Sequence, residues 1–175
     1  EGKIVDPDLG IDLPPNTQGE IVTRSECVMK GYYKMPDATT DTIDRYKWLH
    51  TGDLGEIDEN GYFKVTGRIK DMIIRGGENI YPRELEEFLF THPKVVNVQV
   101  IGIPDKRYGE QVLAAIQLKT GQTATPEEFI EFCQGKIARH KIPKYWEFVD
   151  SYPTTASGKI QKFKMKKIFE KKYHA

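Results

Sequence analysis

A double glycine between two short β-prone runs constrains the fold of this chain more than any other feature. The apolar residues 72–74 precede Gly76-Gly77, and residues 79–81 follow it before Pro82. Glycine takes positive φ without strain, so the pattern predicts a tight hairpin. Proline suits the first turn of a helix, where its missing N–H costs nothing, so Pro82 predicts a helix start. The charged stretch before the hairpin predicts a joint between two domains.

The part of the chain after this joint predicts a compact α+β domain. Three segments have strand patterns and three have amphipathic helix patterns, and the two kinds interleave. We therefore expect a small C-terminal domain with a three-stranded sheet, helices and the hairpin at Gly76-Gly77. The predicted strands are residues 96–100, 111–118 and 144–149, and the predicted helices are residues 83–92, 126–139 and 163–173.

The part before the joint predicts a β-rich segment. Residues 19–23 predict a strand, and residues 54–57 and 62–66 predict a hairpin around Asn60-Gly61. The stretch 48–53 predicts an ordered loop. So short a segment buries little apolar surface, and we expect it to be the end of a larger N-terminal domain.

The predicted domain organisation follows from these two halves. Residues 1–67 would be the β-rich end of the large domain, residues 68–71 the hinge, and residues 72–175 the small C-terminal domain.

Composition excludes several function classes. The 26 basic and 26 acidic residues cancel, so no overall field would recruit a nucleic acid. Two distant cysteines and four scattered histidines offer no metal-ligand cluster. Because no apolar run approaches the length of a bilayer crossing, we predict no transmembrane segment.

One stretch departs from this charge balance. Residues 159–172 contain seven lysines and one glutamate. The part of it at residues 162–172 could attract the phosphates of coenzyme A (CoA) or an acidic membrane surface. A solvated helix face is the commoner meaning of such a run, and it is the interpretation we favour at this point.

Four residues are candidates for chemistry, and each has a simpler interpretation. Asp53, after a glycine, could bind the vicinal hydroxyls of a ribose, or it could cap its own turn. Arg68 could bind a phosphate or ribose oxygen, or it could be a surface arginine. Lys70 could lie in a flexible hinge or in a plain turn. Lys159, on a loop of small residues, could neutralise developing negative charge, or it could be solvated.

Together and in this order, the motifs closely resemble those of the adenylate-forming enzymes. This superfamily comprises acyl-CoA synthetases, nonribosomal adenylation domains and luciferases. Residues 70–82 look most similar to the fatty-acyl-CoA synthetases, including their medium-chain members. The motifs that carry the resemblance are residues 19–21, 31–32, 46–53, 61–63, 67–82 and 153–160.

The resemblance implies a two-step reaction that uses ATP, Mg²⁺ and CoA. A carboxylic acid attacks the α-phosphate of ATP, giving an acyl-adenylate and pyrophosphate. The small domain then rotates about a hinge at Lys70, and the thiol of CoA displaces AMP. Such an enzyme would be cytoplasmic, or would lie in the mitochondrial matrix if a transit peptide preceded this sequence.

The resemblance also implies roles for individual residues. Asp53 would hold the ribose hydroxyls, and Arg68 would contact the ribose or a phosphate. Lys159 would be the catalytic lysine of the adenylation step. The Gly76-Gly77 hairpin would line the passage for the pantetheine arm of CoA.

The chain departs from the family pattern in two ways. Several relatives have a lysine where Ile74 stands, with the basic residue here shifted to Arg75, so the resemblance supports no role for Arg75. The glycine-rich phosphate loop and the acyl pocket are absent from this sequence. We therefore expect the chain alone to be inactive, and the Mg²⁺ ligands to lie in a preceding N-terminal part.

Two other functions stay open. An adenylation domain that loads a carrier protein would share these motifs, although no carrier segment follows the lysine-rich helix. A stand-alone, non-enzymatic interaction module would share the second domain. The partial β-rich segment at residues 1–67 argues against that module.

Overall fold

The computed structural model describes residues 1–173, and the chain divides into two compact units. The first unit is Glu1–Lys70 and the second begins at Asp71. A short 3₁₀ helix, Ile69–Asp71, spans the division. The division falls inside the predicted joint, but a hinge there stays a prediction.

The first unit is a four-stranded antiparallel sheet with one short helix. The strands follow each other in the sheet in chain order. They are β1 (Gly2–Val5), β2 (Gly19–Thr23), β3 (Leu49–Ile57) and β4 (Phe63–Arg68), and the helix α1 is Pro36–Thr42. The predicted strand at residues 19–23 and the predicted hairpin between β3 and β4 are confirmed.

The prediction of a loop at residues 48–53 is wrong. β3 begins at Leu49, which pairs with Thr23 on β2, so most of that stretch is strand. The segment lacks alternating apolar residues, and pairing with β2 rather than local propensity makes it extended. The strand β1 and the helix α1 had no prediction.

The second unit is a mixed α+β domain, as predicted. Its strands are β5 (Ile73–Arg75), β6 (Glu78–Ile80), β7 (Val95–Asp105), β8 (Gly109–Leu118) and β9 (Tyr145–Phe148). Its helices are α2 (Pro82–Phe90), α3 (Pro126–Cys133) and α4 (Lys162–Tyr173). The helix start at Pro82 is confirmed, but α3 ends six residues earlier than predicted, before Gly135 with its φ of 72°.

The five strands of this unit form one sheet in the order β6-β5-β8-β7, with β9 beside β8. The prediction of a three-stranded sheet beside a separate hairpin needs one correction. Arg75 on β5 pairs with Gly109 on β8, so the hairpin joins the sheet. β9 is parallel to β8, whereas the other pairs are antiparallel.

The core of the second unit lies on both faces of β8. Residues 111–116 are all buried, because helices cover the sheet on each side. Ala114 packs in a cluster with residues of α2 and α3 such as Leu85 and Phe129. Leu113 packs on the other face with Met165 of α4. This arrangement explains why the middle of β8, residues 112–116, is apolar throughout instead of alternating.

Candidate functional site

Asp53 and Arg68 lie side by side on neighbouring strands of the first sheet. They are partners in the register of β3 and β4, and Arg68 Nε donates a 2.7 Å hydrogen bond to Asp53 Oδ1. The Arg68 side chain is 66% exposed and that of Asp53 is 32% exposed. The pair therefore presents carboxylate acceptors and guanidinium donors to a ligand, a combination that suits a sugar hydroxyl beside a phosphate.

A buried carboxylate holds the irregular segment of β3 that carries Asp53. Glu20 on β2 is 6% exposed, and its Oε1 accepts a 2.9 Å hydrogen bond from Gly52 N. Its other oxygen, Oε2, lies 2.7 Å from His50 Nδ1. Thr51 Oγ1 accepts a 3.0 Å hydrogen bond from Asp53 N. Both oxygens of Glu20 are thus engaged in orienting the segment before Asp53.

Sequence reasoning missed the positioning role of Glu20 and His50. Both residues entered only as members of motifs, and His50 also as one of four scattered histidines. The available signal was a charged residue beside the apolar pair Ile21-Val22 in the short strand β2, where burial of an unpaired carboxylate would be costly. Gly52 has a φ of 71°, so the irregular segment of β3 at this position favours glycine.

The Gly76-Gly77 turn is the tight hairpin that the sequence predicts. The two glycines have φ values of 61° and 87°, which only glycine adopts readily in succession. Gly76 N donates a 2.8 Å hydrogen bond to the carbonyl oxygen of Tyr108. This bond anchors the hairpin tip to the β7–β8 turn.

Two guanidinium groups lie against the Tyr108 ring beside this hairpin. The Cζ atoms of Arg75 and Arg107 are 4.7 Å and 5.1 Å from the ring centroid. Arg75 Nε also donates a 2.7 Å hydrogen bond to the buried Gln111. Asp105 accepts backbone hydrogen bonds from Tyr108 and Arg107, which hold the pKa of its carboxyl below the usual range and fix the turn.

Lys159 projects from a loop that is closed by local hydrogen bonds. Thr155 N donates to the Lys159 carbonyl at 2.8 Å, and Lys159 N donates to Thr155 Oγ1 at 3.1 Å. Gly158 has a φ of 82° and turns the chain. The Lys159 residue is exposed and its ammonium has no hydrogen-bond partner among residues 1–173. The loop thus offers a positive charge on a short, tightly turned support.

The predicted site residues fall into separate groups. Asp53 and Arg68 are brought into contact in the first unit. Gly76-Gly77 and Lys159 belong to two different loops of the second unit. Lys70, which is exposed, is the last residue of the first unit. Over residues 1–173, no group of three His, Cys, Asp or Glu side chains is placed to hold a metal ion.

Comparison with known proteins shows which proteins this chain is related to. Residues 84–159 match the model of the AMP-binding enzyme C-terminal domain. The whole chain is similar to YngI of Bacillus subtilis (strain 168), provisionally named an acyl-CoA synthetase, with 57% identity over 95% of the chain. The chain is homologous to the acyl-CoA synthetases.

One further relative and one solved structure are also similar to this chain. The human mitochondrial medium-chain acyl-CoA ligase ACSF2 is 52% identical over 98% of the chain. ATP-bound MatB from Rhodopseudomonas palustris superimposes with a TM-score of 0.95 at 36% identity, over 99% of the chain and 34% of MatB. The chain spans 30% of the length of YngI and 28% of ACSF2, so it corresponds to less than a third of these synthetases.

Proposed function

We propose that this chain is part of an AMP-forming synthetase that joins a medium- or long-chain fatty acid to CoA. The observation that carries the proposal is its 52% identity, over 98% of its length, to a medium-chain acyl-CoA ligase. The enzyme works in the cytoplasm or the mitochondrial matrix; the relatives include a bacterial protein and a mitochondrial one.

In this proposal, the reaction has two steps. The fatty-acid carboxylate attacks the α-phosphate of ATP, and pyrophosphate leaves with the electrons of the broken P–O bond. The CoA thiol, losing its proton, then attacks the acyl carbonyl, and AMP leaves. Mg²⁺, held by residues outside this chain, would neutralise charge on the ATP phosphates.

Asp53 and Arg68 act on the nucleotide. Their 2.7 Å contact pre-positions the Asp53 carboxylate, which accepts hydrogen bonds from the ribose hydroxyls. The exposed Arg68 retains further N–H donors that can reach a ribose or phosphate oxygen. The buried Glu20 supports this role, because its carboxylate accepts a hydrogen bond from Gly52 N and so fixes the residue before Asp53.

Lys159 acts in adenylation and not in thioester formation. The carboxylate and the α-phosphate that meet in the first step are both negatively charged, and a positioned ammonium offsets their repulsion and neutralises the charge on the phosphoryl oxygens. The exposed, unpaired side chain on a closed loop is available for this purpose. Lys70 acts as the hinge between the two steps, and the Gly76-Gly77 backbone lines the pantetheine passage in the second.

The test uses the full-length enzyme that contains this chain, with residues 1–175 alone as a control. We would measure carboxylate-dependent pyrophosphate exchange for acids from acetate to palmitate, and detect acyl-CoA by mass spectrometry. We expect exchange and acyl-CoA formation within one window of medium or long chains, and no exchange by the control. Exchange with amino or aryl acids and no CoA product would refute the proposal and indicate a carrier-loading enzyme.

The assignment of Lys159 has its own test in the same assay. Lys159→Ala should abolish exchange while leaving thioester formation from synthetic acyl-adenylate largely intact. Lys162→Ala, which removes a neighbouring lysine that is paired with Glu86, is the matched control. An equal loss of both half-reactions in Lys159→Ala would contradict the role.

A further inference from the structure

The helix α4 has two faces with different charge environments. At 3.6 residues per turn, successive side chains are about 100° apart around the helix. Met165 and Phe169 are buried against the sheet and define the inner face. Five other residues occupy a continuous arc of roughly 140° on the opposite side. We call these the outer stripe: Phe163, Lys164, Lys167, Ile168 and Lys171.

The lysines beside the inner face are neutralised within the domain. Lys162 Nζ lies 2.6 Å from a carboxylate oxygen of Glu86. Lys166 Nζ lies 2.8 Å from Glu110. Lys172 forms a third such ion pair, at 2.7 Å, with Glu147. These ion pairs with strand and helix residues leave no excess charge on that side of α4.

The lysines of the outer stripe have no such partners. Within residues 1–173, Lys164, Lys167 and Lys171 make no salt bridge, and all three are exposed. The single acidic residue of α4, Glu170, lies beyond the Phe163 edge of the stripe and is half-buried. The stripe therefore carries three positive charges and no negative one.

The two apolar members of the outer stripe are also exposed. Phe163 is 59% exposed and Ile168 is 56% exposed. They lie at the two edges of the stripe, so the lysines are flanked by apolar side chains. Covering these two side chains with an apolar partner would be favourable, because it would remove their apolar surface from water.

We propose that the outer stripe of α4 binds an anionic phospholipid surface. The three lysines complement negatively charged headgroups, and each adds to the attraction within a Debye length of the surface. Phe163 and Ile168 favour lipid over a soluble polyanion, because they can enter the boundary between headgroups and acyl chains. No helix within residues 1–173 is long and apolar enough to cross a membrane, so the contact is peripheral.

This inference does not depend on the proposed enzymatic function. It concerns one helix face, and none of its residues is assigned to the nucleotide, the acid or CoA. Failure of vesicle binding would leave the exchange assay unaffected, and failure of the exchange assay would leave vesicle binding unaffected.

The test is co-sedimentation of the chain with vesicles of two compositions. One is pure phosphatidylcholine and the other contains about 30% phosphatidylserine, which gives the negative surface potential that attracts basic segments. We expect binding to the anionic vesicles only, weakened when salt is raised to about 0.5 M because the charges are screened. Absence of binding to the anionic vesicles would overturn the proposal.

Two variants locate the contact. The triple variant Lys164→Gln, Lys167→Gln and Lys171→Gln should weaken anionic-vesicle binding by roughly 100-fold, since each lysine contributes about a fivefold factor. The matched control is a triple variant that removes the same charge from exposed lysines elsewhere in the same unit: Lys106→Gln, Lys119→Gln and Lys136→Gln. Equal loss in both triple variants would overturn the assignment to α4.

A double variant, Phe163→Ser with Ile168→Ser, separates a membrane from another polyanion. It retains all charges, so it should keep most of any binding to heparin or RNA but lose at least about fivefold in vesicle binding as apolar contact is removed. Unchanged vesicle binding, or tighter binding of the unmodified chain to heparin than to vesicles, would overturn the lipid proposal. Circular dichroism would verify that every variant is folded.

Discussion

At the scale of single residues, Glu20 determines how Asp53 is presented. Both of its carboxylate oxygens are engaged, with Gly52 N at 2.9 Å and His50 Nδ1 at 2.7 Å. A buried carboxylate with both oxygens paired orients its neighbours, and its removal leaves their polar groups without partners.

We therefore predict that Glu20→Ala loosens the β3 segment. The loss of two buried hydrogen bonds should destabilise the first unit by roughly 1–3 kcal/mol. Hydrogen exchange of residues 49–57, followed by mass spectrometry, should show faster exchange at Gly52 and Asp53. Glu26→Ala removes an exposed carboxylate and is the control. Unchanged protection of the segment in Glu20→Ala would contradict the positioning role.

At the same scale, His92 is a buried titratable residue of the second unit. The ring is 6% exposed and lies 4.5 Å and 4.8 Å, centroid to centroid, from Phe129 and Phe132. Burial lowers its pKa below the ordinary 6.5, and the charges of Lys94 and Lys136 act in the same direction. Glu128, 3.5 Å from His92 Nε2, opposes them.

The sign of the pH effect follows from this lowered pKa. Below pH 6.5 the unfolded chain binds a proton that the folded chain resists, so the free energy of unfolding falls as the pH falls. The fall has a limit of about 1.4 kcal/mol per pH unit for one group. Urea unfolding between pH 7 and pH 5 should show a shallower decline for His92→Asn than for the unmodified chain. His140→Asn is the control for the substitution itself, and equal slopes for the unmodified chain and both variants would exclude His92 as the cause.

At the scale of elements, the β5–β6 hairpin depends on two consecutive positive φ angles. Gly76 and Gly77 have φ values of 61° and 87°. A Cβ atom at Gly76 would lie 3.2 Å from Tyr108 Cδ1, whereas one at Gly77 would meet no atom within 4 Å. Steric contact therefore adds to backbone strain at Gly76 alone.

We predict that Gly76→Ala and Gly77→Ala both destabilise the second unit, Gly76→Ala more. Positive φ costs roughly 1–2 kcal/mol for a residue with a Cβ atom. The close contact with Tyr108 adds to this cost at Gly76. Urea unfolding measures the difference, with Gly67→Ala as the control, because Gly67 has no positive φ and no atom near an added Cβ. A larger loss for Gly77→Ala would show that the Tyr108 contact is unimportant.

At the scale of the whole molecule, the two units differ in how much core they have. Two hydrophobic clusters, one on each face of the sheet, lie entirely within the second unit. In the first unit, the buried hydrophobic residues are few: Ile4, Val5, Val22 and Leu54. Stability from apolar burial should therefore be concentrated in the second unit.

We predict that residues 71–173 fold when expressed alone, whereas residues 1–70 alone do not unfold cooperatively. Thermal denaturation followed by circular dichroism should show a sigmoidal transition for the second unit and a shallow, gradual change for the first. The complete chain provides the reference spectrum. A cooperative transition for residues 1–70, or none for residues 71–173, would contradict this account of the core.

Much of the fold could be predicted because its signals are local. Gly76-Gly77 specifies a hairpin through its own φ angles, and Pro82 starts a helix because of its own missing N–H. Thr125 caps α3 by accepting a hydrogen bond from Glu128 N. The secondary-structure predictions failed where pairing with residues distant in the sequence determines the structure. Leu49 is an example, because it is in a strand through its pairing with β2.

The same distinction applies to the candidate site and to α4. The sequence by itself determined the family resemblance, the hairpin and the basic character of α4, because each depends on residues that are neighbours in the sequence. Only the tertiary structure decided that Glu20 orients the segment before Asp53, which lies about 30 residues away in the sequence. It also decided which lysines of α4 are neutralised. For example, Lys162 forms its ion pair with Glu86, which is 76 residues away in the sequence. Such pairings depend on how strands and helices pack, since a charge in sequence has no partner until the fold brings one within a few ångströms.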